Sequence, residues 1–375
     1  MREPRAPQSA SAALFHFASR IYGRAVLFRC DGYASGRFAT RTLPCFVISV
    51  GNLTVGGTGK TPMTTYLART LQHLGYRPAV VSRGYGGRRR HGTAVAGDGR
   101  RPLLTADQVG DEPCMMANSL TGIPVVVGRN RYDAGLLALR TFAVNILVLD
   151  DAFQHLSLER DLDIVMLNQQ RPLGNGHLLP RGTLREPATG LRRADAVVFT
   201  RDGSESRRSV GALLSENTAR FDARRHPEVY ERVCHGAARN PMTLPNGLLP
   251  RPTSWLSGRR VAAFSGIADN KRFSDSLLSL GCEILSFRGF PDHHRYETEE
   301  LHGIAATASA VSADLVVTTE KDYARIAHRV PWTAHTAVVG IRLHLADEQR
   351  FHEFLTASIA RKALPSRGHC ARKGA

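Results

Sequence analysis

A glycine-rich stretch decides the fold of this chain: Val50-Gly51-Asn52-Leu53-Thr54-Val55-Gly56-Gly57-Thr58-Gly59-Lys60-Thr61-Pro62. The run before it, Cys45–Val50, is apolar and partly β-branched, which predicts a buried strand. After it, leucines recur at helical spacing as far as Gly75, which predicts a helix. A glycine-rich turn between a strand and a helix is typical of a phosphate-binding loop, because backbone N–H groups close around phosphate oxygens at the helix N-terminus.

This loop predicts a nucleotide site with defined roles. Lys60 is expected to reach the outer phosphates, and the Thr61 hydroxyl is expected to hold Mg²⁺. The first position of the G-x-x-x-x-G-K-[ST] pattern is Thr54 instead of glycine, and a glycine turn that binds no ligand is the alternative. The predicted nucleotide-binding residues are Thr54, Val55, Gly56, Gly57, Thr58, Gly59, Lys60 and Thr61.

Two aspartates end an apolar run further along the chain. Asp150 and Asp151 follow Asn145–Leu149 directly. An acidic strand end that comes after a phosphate loop is expected to complete the Mg²⁺ shell. An ordinary strand-to-turn junction gives the same pattern, but the upstream loop favours the metal interpretation.

Apolar segments alternate with stretches long enough for helices. After the loop, the predicted strands are Ala79–Ser82, Pro124–Gly128, Asn145–Asp150, Asp163–Leu167 and Ala196–Thr200. A second alternating unit starts at Arg260, with predicted strands Val261–Ser265, Glu283–Phe287, Leu315–Thr319 and Ala337–Leu343, and predicted helices Lys271–Leu280, Thr298–Ala310 and Asp347–Ala360. The expected fold is α/β: a P-loop NTPase-like parallel sheet core with a second, smaller α/β domain at the C-terminal end.

Composition also suggests domain boundaries. Charge, proline and glycine accumulate from about Arg201 to Leu256, which predicts a linker with irregular structure. The expected segments are an N-terminal amphipathic segment (1–43), a P-loop core (44–205), a linker region (206–257), a C-terminal α/β domain (258–365) and a disordered basic tail (366–375).

The chain is strongly basic. It has 50 Lys and Arg against 33 Asp and Glu, a formal net charge of +17, which favours an anionic partner such as a nucleotide, a nucleic acid, a phospholipid or a phosphorylated glycolipid. Genomic base composition is the alternative, since nearly all of the positive charge is arginine. The six cysteines form no C-x-x-C pair, which predicts reduced, mostly buried thiols in a cytosolic environment.

The N-terminal region predicts a helix but no membrane span. No apolar run approaches the ~20 residues that a spanning helix needs, and no signal-peptide pattern is present. From Ala12 to Phe28, large apolar side chains alternate with Arg20 and Arg24, as in a basic helix that lies in a membrane interface. A helix packed on a protein core gives the same pattern, so the sequence leaves both readings open.

Two further candidates follow predicted strands. In Ser82-Arg83-Gly84-Tyr85-Gly86-Gly87, Tyr85 is able to stack or hydrogen-bond at a site, although an ordinary glycine-rich turn explains the run nearly as well. Gly128-Arg129-Asn130-Arg131 offers two guanidinium groups to an anionic substrate.

Carboxylates and histidines form the remaining candidates. Asp111 and Glu112 precede a predicted helix, where either can act as its cap. The catalytic alternative is that one of them accepts a proton from an attacking hydroxyl. Pro291-Asp292-His293-His294-Arg295-Tyr296 has no companion metal-ligand spacing, so we expect one functional and one structural histidine there.

Taken together, these motifs resemble one family, the tetraacyldisaccharide 4′-kinases (lipid A 4′-kinases). The matching runs are Gly51–Pro62, Ser82–Gly86, Gly110–Pro113, Asp150–His155, Leu179–Pro187, Phe264–Ala268, Phe290–Tyr296 and Thr318–Asp322. They occur in the family's order between about Pro44 and Leu343, and Thr54 at the first loop position agrees with the family.

The resemblance implies an ATP-dependent enzyme that phosphorylates the 4′-hydroxyl of tetraacyldisaccharide 1-phosphate to give lipid IV-A in lipopolysaccharide synthesis. It also implies attachment to the membrane surface at the cytoplasmic face of the bacterial inner membrane, with no nucleic-acid partner.

The resemblance also implies roles for individual residues. Asp111 is the expected catalytic base, assisted by His293, and Lys60 serves the nucleotide. The implied Mg²⁺ ligands are Thr61, Asp150 and Asp151, and the implied substrate-binding residues are Tyr85, Arg129 and Arg185.

Two other classes of function remain open on the residues alone. A P-loop NTPase that acts as a switch or chaperone on a protein partner would need a guanine-selecting N-K-x-D if it used GTP, and the candidates at Asn270 and Glu320 fail that spacing. A nucleic-acid binder is suggested by the charge, but neither a basic helix nor interleaved aromatic and basic residues are evident.

Overall fold

The computed structural model describes residues 10–89, 91–201, 210–232, 247–327 and 335–363. Its α-helices are α1 (Ala10–Ala34), α2 (Lys60–His73), α3 (Ala106–Val109), α4 (Asp111–Ser119), α5 (Arg131–Thr141), α6 (Asn270–Ser279), α7 (Thr298–Ala310), α8 (Glu320–Ile326) and α9 (Glu348–Ala363). Its strands are β1 (Phe46–Gly51), β2 (Pro78–Ser82), β3 (Thr93–Gly97), β4 (Val125–Gly128), β5 (Ile146–Asp150), β6 (Leu162–Asn168), β7 (Ala196–Arg201), β8 (Ala219–Arg232), β9 (Leu248–Arg251), β10 (Arg260–Ser265), β11 (Glu283–Gly289), β12 (Leu315–Thr319) and β13 (Thr336–Leu345). Short 3₁₀ helices span Ala188–Arg193, Gly211–Leu213 and Thr253–Leu256.

Contacts group the described residues into two compact units, each assembled from separate stretches of chain. The first draws on the described parts of 1–60, 146–224 and 344–375, and the second on those of 61–145 and 225–343. The contiguous domain boundaries drawn from composition stay a prediction.

The first unit contains a parallel sheet in the order β8-β7-β6-β1-β5. All six residues of β1 are buried, as expected for a central parallel strand covered on both faces. In register, Ser49 of β1 lies between Leu149 of β5 and Asp163 of β6. Because the strands are parallel, the carboxyl ends of β1 and β5 lie at the same edge of this sheet.

The second unit contains two groups of strands. In one, β2 and β4 are parallel, and β3 joins β4 in antiparallel orientation. In the other, the parallel order is β11-β10-β12-β13. Tyr296, Phe264 and Phe290 belong to a buried apolar cluster in this unit.

These strands confirm the predicted mostly parallel α/β fold. The predicted strand and helix bounds agree closely with those of the structure, including Thr298–Ala310 for α7. The alternation of apolar runs with stretches long enough for helices was therefore sufficient to predict most of the strands and helices.

The expectation of irregular structure between Arg201 and Leu256 is wrong for β8. This strand is 14 residues long, and its first part pairs with β7 while its last part pairs with β9. Only some of its side chains, such as Phe221 and Ala223, are fully buried. Charged residues occupy the partly exposed positions, which gave the segment the composition of a linker. The basic tail expected at 366–375 lies outside the described residues.

Candidate active site

The phosphate loop predicted from the sequence lies between β1 and α2. Gly56 and Gly59 adopt φ angles of 118° and 90°, a region that favours glycine. The fully buried Asn52 donates from Nδ2 to a loop carbonyl (2.6 Å) and to the Thr58 hydroxyl (2.8 Å). Because α2 begins at Lys60, the loop ends where helical N–H groups and the helix dipole favour an anion.

A later segment of the chain braces this loop. The Val55 N–H donates to the Thr183 carbonyl (2.8 Å), and the Arg185 N–H donates to the Leu53 carbonyl (2.7 Å). These two hydrogen bonds hold the loop backbone in place through the N–H of Val55 and the carbonyl of Leu53. The segment around Arg185 is therefore part of the loop's support.

Polar side chains extend this support. Gln154 Nε2 donates to the Asn52 carbonyl (2.9 Å) and to Glu186 Oε1 (2.8 Å). Glu186, almost fully buried, also accepts from Arg193 (2.8 Å), whose guanidinium lies over the Phe153 ring. Sequence reasoning gave these residues no role, although several of them stand inside the quoted motif runs.

The two aspartates lie at the end of β5, in the same unit as the loop. Asp150 is buried, and Asp151 has a φ of 49° just beyond the strand. Lys60 Nζ lies 3.8 Å from Asp151 Oδ1. Arg185 Nη1 donates to both Asp151 oxygens, at 2.7 and 2.9 Å. Lys60, Asp151 and Arg185 therefore form one cluster, and Arg185 contacts the predicted metal ligand.

The carboxylates at this strand end fit Mg²⁺. Asp150 and Asp151 supply hard carboxylate oxygens, and Thr61 stands in the first turn of α2 with a buried hydroxyl-bearing side chain. Mg²⁺ in kinases is held by one or two carboxylates together with substrate phosphates. The described residues contain no group of three or more His, Cys, Asp or Glu side chains arranged to hold a metal ion.

A second cluster forms around Asp111, the first residue of α4. The helix N-cap is Gly110, with no side-chain cap hydrogen bond, so the capping interpretation of Asp111 is wrong. Instead, Asp111 Oδ2 lies 2.6 Å from His293 Nδ1 and accepts from Arg325 Nη2 at 2.6 Å. Asp111 and His293 are 182 residues apart, and both belong to the second unit.

The electrostatics of this cluster keep Asp111 ionised. Burial raises the pKa of Asp111, but hydrogen bonds and charge from Arg325, and then from His293, outweigh it and hold that pKa below its ordinary value. One turn along α4, burial and the Asp111 charge raise the pKa of the Cys114 thiol to about 12. The carboxylate therefore remains charged at neutral pH.

Asp111 and His293 open onto a cavity of about 470 Å³. Tyr85 and Arg129 line the same cavity, so the structure brings these four predicted site residues together. Arg185 instead lies with Asp151. The cavity's other arginines are Arg83, Arg89, Arg295 and Arg325. Five guanidinium groups around a single cavity favour an anionic ligand.

Helix α1 is held by hydrogen bonds along one side to the rest of the first unit. The Tyr22 hydroxyl donates to the Arg185 carbonyl (2.7 Å), and the Ser19 hydroxyl donates to the Leu178 carbonyl (2.9 Å). Large apolar side chains on α1 remain exposed: Leu14, Phe15, Phe17, Ile21, Leu27 and Phe28. The helix is thus docked on protein and also presents an apolar surface. Within the described residues, none of the helices combines the length and the apolar character that crossing a membrane requires.

Comparison with known proteins identifies the family. The family model for tetraacyldisaccharide-1-P 4′-kinase (LpxK) matches residues 11–360. A tetraacyldisaccharide 4′-kinase of Desulfatibacillum aliphaticivorans is 40% identical over 353 residues, covering 93% of each chain. One of Syntrophus aciditrophicus is 40% identical and covers 94% of each chain. One of Geobacter sulfurreducens is 42% identical and covers 83% of each.

A solved structure agrees in fold. The crystal structure described as the "apo" form of LpxK from Aquifex aeolicus in complex with ATP has a TM-score of 0.72 and 30% sequence identity, and the match covers 93% of this chain and 99% of that one. The fold is that of a P-loop kinase. With a family model that spans nearly the whole sequence, this chain belongs to the tetraacyldisaccharide 1-phosphate 4′-kinase family.

Proposed function

We propose that this chain transfers the γ-phosphate of ATP to the 4′-hydroxyl of tetraacyldisaccharide 1-phosphate and so produces lipid IV-A in lipid A synthesis. The family and its curated relatives support this activity. The observation that carries it within the molecule is the pairing of Asp111 with His293 at a cavity lined by arginines.

The proposed chemistry is an in-line phosphoryl transfer. The 4′-oxygen forms a bond to the γ-phosphorus, the bond from that phosphorus to the β–γ bridging oxygen breaks, and ADP leaves. The hydroxyl proton passes to Asp111, with His293 orienting the carboxylate through its Nδ1. Because such transition states depend chiefly on alignment and charge neutralisation, Lys60 has its role at the outer phosphates.

Mg²⁺ is the expected companion of ATP. Thr61, Asp150 and Asp151 are the residues that would hold it, and the ion would supply charge neutralisation at the phosphates when bound. Asp151 also accepts from Arg185, so this aspartate links a cation of the protein to the proposed metal position.

The substrate is a phosphorylated glycolipid, so the enzyme is expected at a membrane surface. We assign it to the cytoplasmic face of the bacterial inner membrane, where ATP is available. The exposed apolar side chains of α1 support contact with the interface, since a docked helix with a free apolar face can insert that face among lipid headgroups. Tyr85 and Arg129 are assigned to the lipid headgroup, and no nucleic-acid partner is expected.

The direct test is lipid-dependent ATP turnover. Purified full-length protein is mixed with ATP, Mg²⁺ and tetraacyldisaccharide 1-phosphate in mixed micelles, and ADP release is followed. We expect ADP release only when the lipid is present. Slow ATP hydrolysis at a rate independent of the lipid would instead indicate the alternative, a P-loop NTPase switch or chaperone. The family match and the related crystal structure do not favour that alternative.

A further inference from the structure

Two motif runs have no role in the chemistry above. They are Phe264–Ala268, which follows β10, and Thr318–Asp322, which joins β12 to α8. Both runs contribute atoms to a buried hydrogen-bond network beside the Asp111–His293 pair. The residue that connects this network to the pair is Arg325 of α8.

Arg325 makes contacts in two directions. Its Nη2 donates to Asp111 Oδ2 at 2.6 Å, while its Nη1 donates to Asp322 Oδ1 (2.7 Å) and to the Gly266 carbonyl (3.0 Å). Only 7% of the Arg325 side chain is exposed. A planar guanidinium held at both ends has little rotational freedom, so it fixes the carboxylate that it contacts.

Asp322 in turn holds Arg325 from a fully buried position. Its Oδ2 accepts from the Gly266 N–H (3.0 Å) and from the Thr319 hydroxyl (2.6 Å). Its Oδ1 accepts from the Tyr296 hydroxyl (2.9 Å) as well as from Arg325. A buried carboxylate that accepts from this many donors is held in one orientation.

Gly266 ties the same network to His293. The His293 N–H donates to the Gly266 carbonyl (3.2 Å), and His293 has a φ of 61°. A Cβ at position 266 would lie 2.9 Å from the Tyr296 hydroxyl and 3.1 Å from Asp322 Oδ1. Glycine at this position therefore lets one carbonyl serve both Arg325 and His293.

We propose that Arg325 is a positioning residue for the phosphoryl transfer: anchored by Asp322 and Gly266, it fixes the orientation of the Asp111 carboxylate. Arg325 and His293 both contact Oδ2, so together they set the plane of the carboxylate and leave Oδ1 to receive the hydroxyl proton. The inference rests on the proposed kinase activity.

A general stabilising role does not explain this arrangement as well. A buried ion pair is weak evidence for stability, because the loss of hydration offsets much of the attraction. Here one buried cation is shared between a structural aspartate and the proposed base. The structural aspartate is satisfied by three further donors, so Arg325 is not its sole partner.

The test compares Arg325→Gln with wild type in lipid phosphorylation across pH. We expect kcat to fall roughly tenfold to a hundredfold, the range for a misplaced reacting group, with the KM for ATP nearly unchanged. Losing the guanidinium raises the pKa of Asp111, so activity on the acid side should be lost at a higher pH than in wild type. The groups that face this pair are Arg325 and Lys321 of α8, Asp292 beside His293, and Cys114 of α4.

Two matched variants keep the result interpretable. Arg260→Gln removes a half-exposed arginine that pairs with Asp314 and should leave kcat and the pH profile as in wild type. Arg325→Lys keeps the charge but loses the two-sided geometry. It should lower kcat while the acid limb stays near its wild-type position, and it covers the case in which Arg325→Gln does not fold.

A double variant separates positioning from a structural role. In the Asp111→Asn background, Arg325→Gln should cause little further loss of kcat, because residues that act as a unit are not additive. Two results would overturn the inference. One is a double variant whose kcat losses multiply, and the other is a folded Arg325→Gln whose pH–activity profile keeps the wild-type acid limb. If wild type itself does not phosphorylate the lipid, the kinase activity fails; if wild type is active and both Arg325 variants equal it, only the positioning role fails.

Discussion

Asp111 is a weak base before the reaction begins. Arg325 and His293 hold its pKa below the ordinary carboxyl value despite its burial. It therefore removes the proton of a free sugar hydroxyl only to a very small extent, because the pKa of that hydroxyl is high. As the proposed base, Asp111 would contribute when the new P–O bond forms and the hydroxyl becomes acidic, so its orientation would matter more than its basicity.

Lys60 should be essential for turnover. Lys60→Ala removes the proposed cation at the outer phosphates, and we expect kcat to fall about a hundredfold or more, as for the loss of one preorganised electrostatic group. Lys271→Ala is the matched control, since Lys271 is exposed and pairs with Asp275 one turn along α6. Near-normal turnover in Lys60→Ala would remove the phosphate-loop assignment.

The histidine pair offers an internal control. Asp111→Asn should lower kcat strongly, and His293→Ala should lower it less, with a double variant little worse than Asp111→Asn alone. His294 instead bonds Glu300 (2.9 Å) and stacks on Phe290, so His294→Ala should reduce thermal stability more than kcat. Steady-state kinetics with thermal unfolding of each variant checks this, and a larger kcat loss for His294→Ala would reverse the two assignments.

Substitution of the two aspartates at the end of β5 should change how the activity depends on Mg²⁺. Asp150→Ala and Asp151→Ala are each expected to lower activity at limiting Mg²⁺, with partial recovery of at least one at high Mg²⁺. Because Asp151 also binds Arg185, Asp151→Ala should recover less completely. Titration of activity with Mg²⁺ measures this, and wild-type rates for both variants at limiting Mg²⁺ would make the aspartates structural.

At the scale of elements, the exposed face of α1 is the clearest target. Replacing Phe17 and Ile21 with Glu should release the protein from anionic vesicles, because apolar burial in the interface is lost and charge repulsion is added. Both side chains are more than half exposed, so folding should be unaffected. Leu278→Glu on α6 is the control, since that leucine is comparably exposed and belongs to the second unit.

Vesicle co-sedimentation and kinetics with dispersed lipid report the result. The α1 variant should show weaker sedimentation and a higher apparent KM for lipid, with unchanged kcat at saturation. Equal sedimentation of wild type and variant would place the membrane contact elsewhere.

The elements with simple periodicity could be predicted from the sequence, and the others could not. β1, α2 and α7 follow from apolar runs and helical spacing. β8 could not, because its partly exposed positions are charged and hide the alternation. Within the candidate site, the phosphate loop could be predicted from its glycines and Lys60.

The pairing of Asp111 with His293 came only from the family resemblance. The supporting groups Arg325, Gln154 and Glu186 gave no sequence signal, because long-range hydrogen bonds between polar side chains leave no periodic pattern.

The two candidate clusters belong to different compact units. Lys60 with Asp151 is in the first, and Asp111 with His293 is in the second. Substitutions in one cluster should therefore leave the binding function of the other intact. Asp111→Asn should bind ATP with wild-type affinity, and Lys60→Ala should still bind lipid micelles, as isothermal calorimetry and co-sedimentation will report.

The net charge of +17 fits the proposed anionic substrate and the proposed anionic membrane surface. Salt should weaken vesicle binding only in part, since screening acts on the charges and not on the apolar face of α1.

The position of the transferred phosphate is the most direct test of the proposed 4′-kinase activity. Wild-type protein is incubated with ATP, Mg²⁺ and tetraacyldisaccharide 1-phosphate, and the lipid product is analysed by mass spectrometry and by ³¹P–¹H correlation NMR. We predict one added phosphate, coupled to the proton at the 4′ carbon of the disaccharide, and no such product from Asp111→Asn within the same time. Unmodified lipid, or a phosphate on any other hydroxyl, would contradict the account.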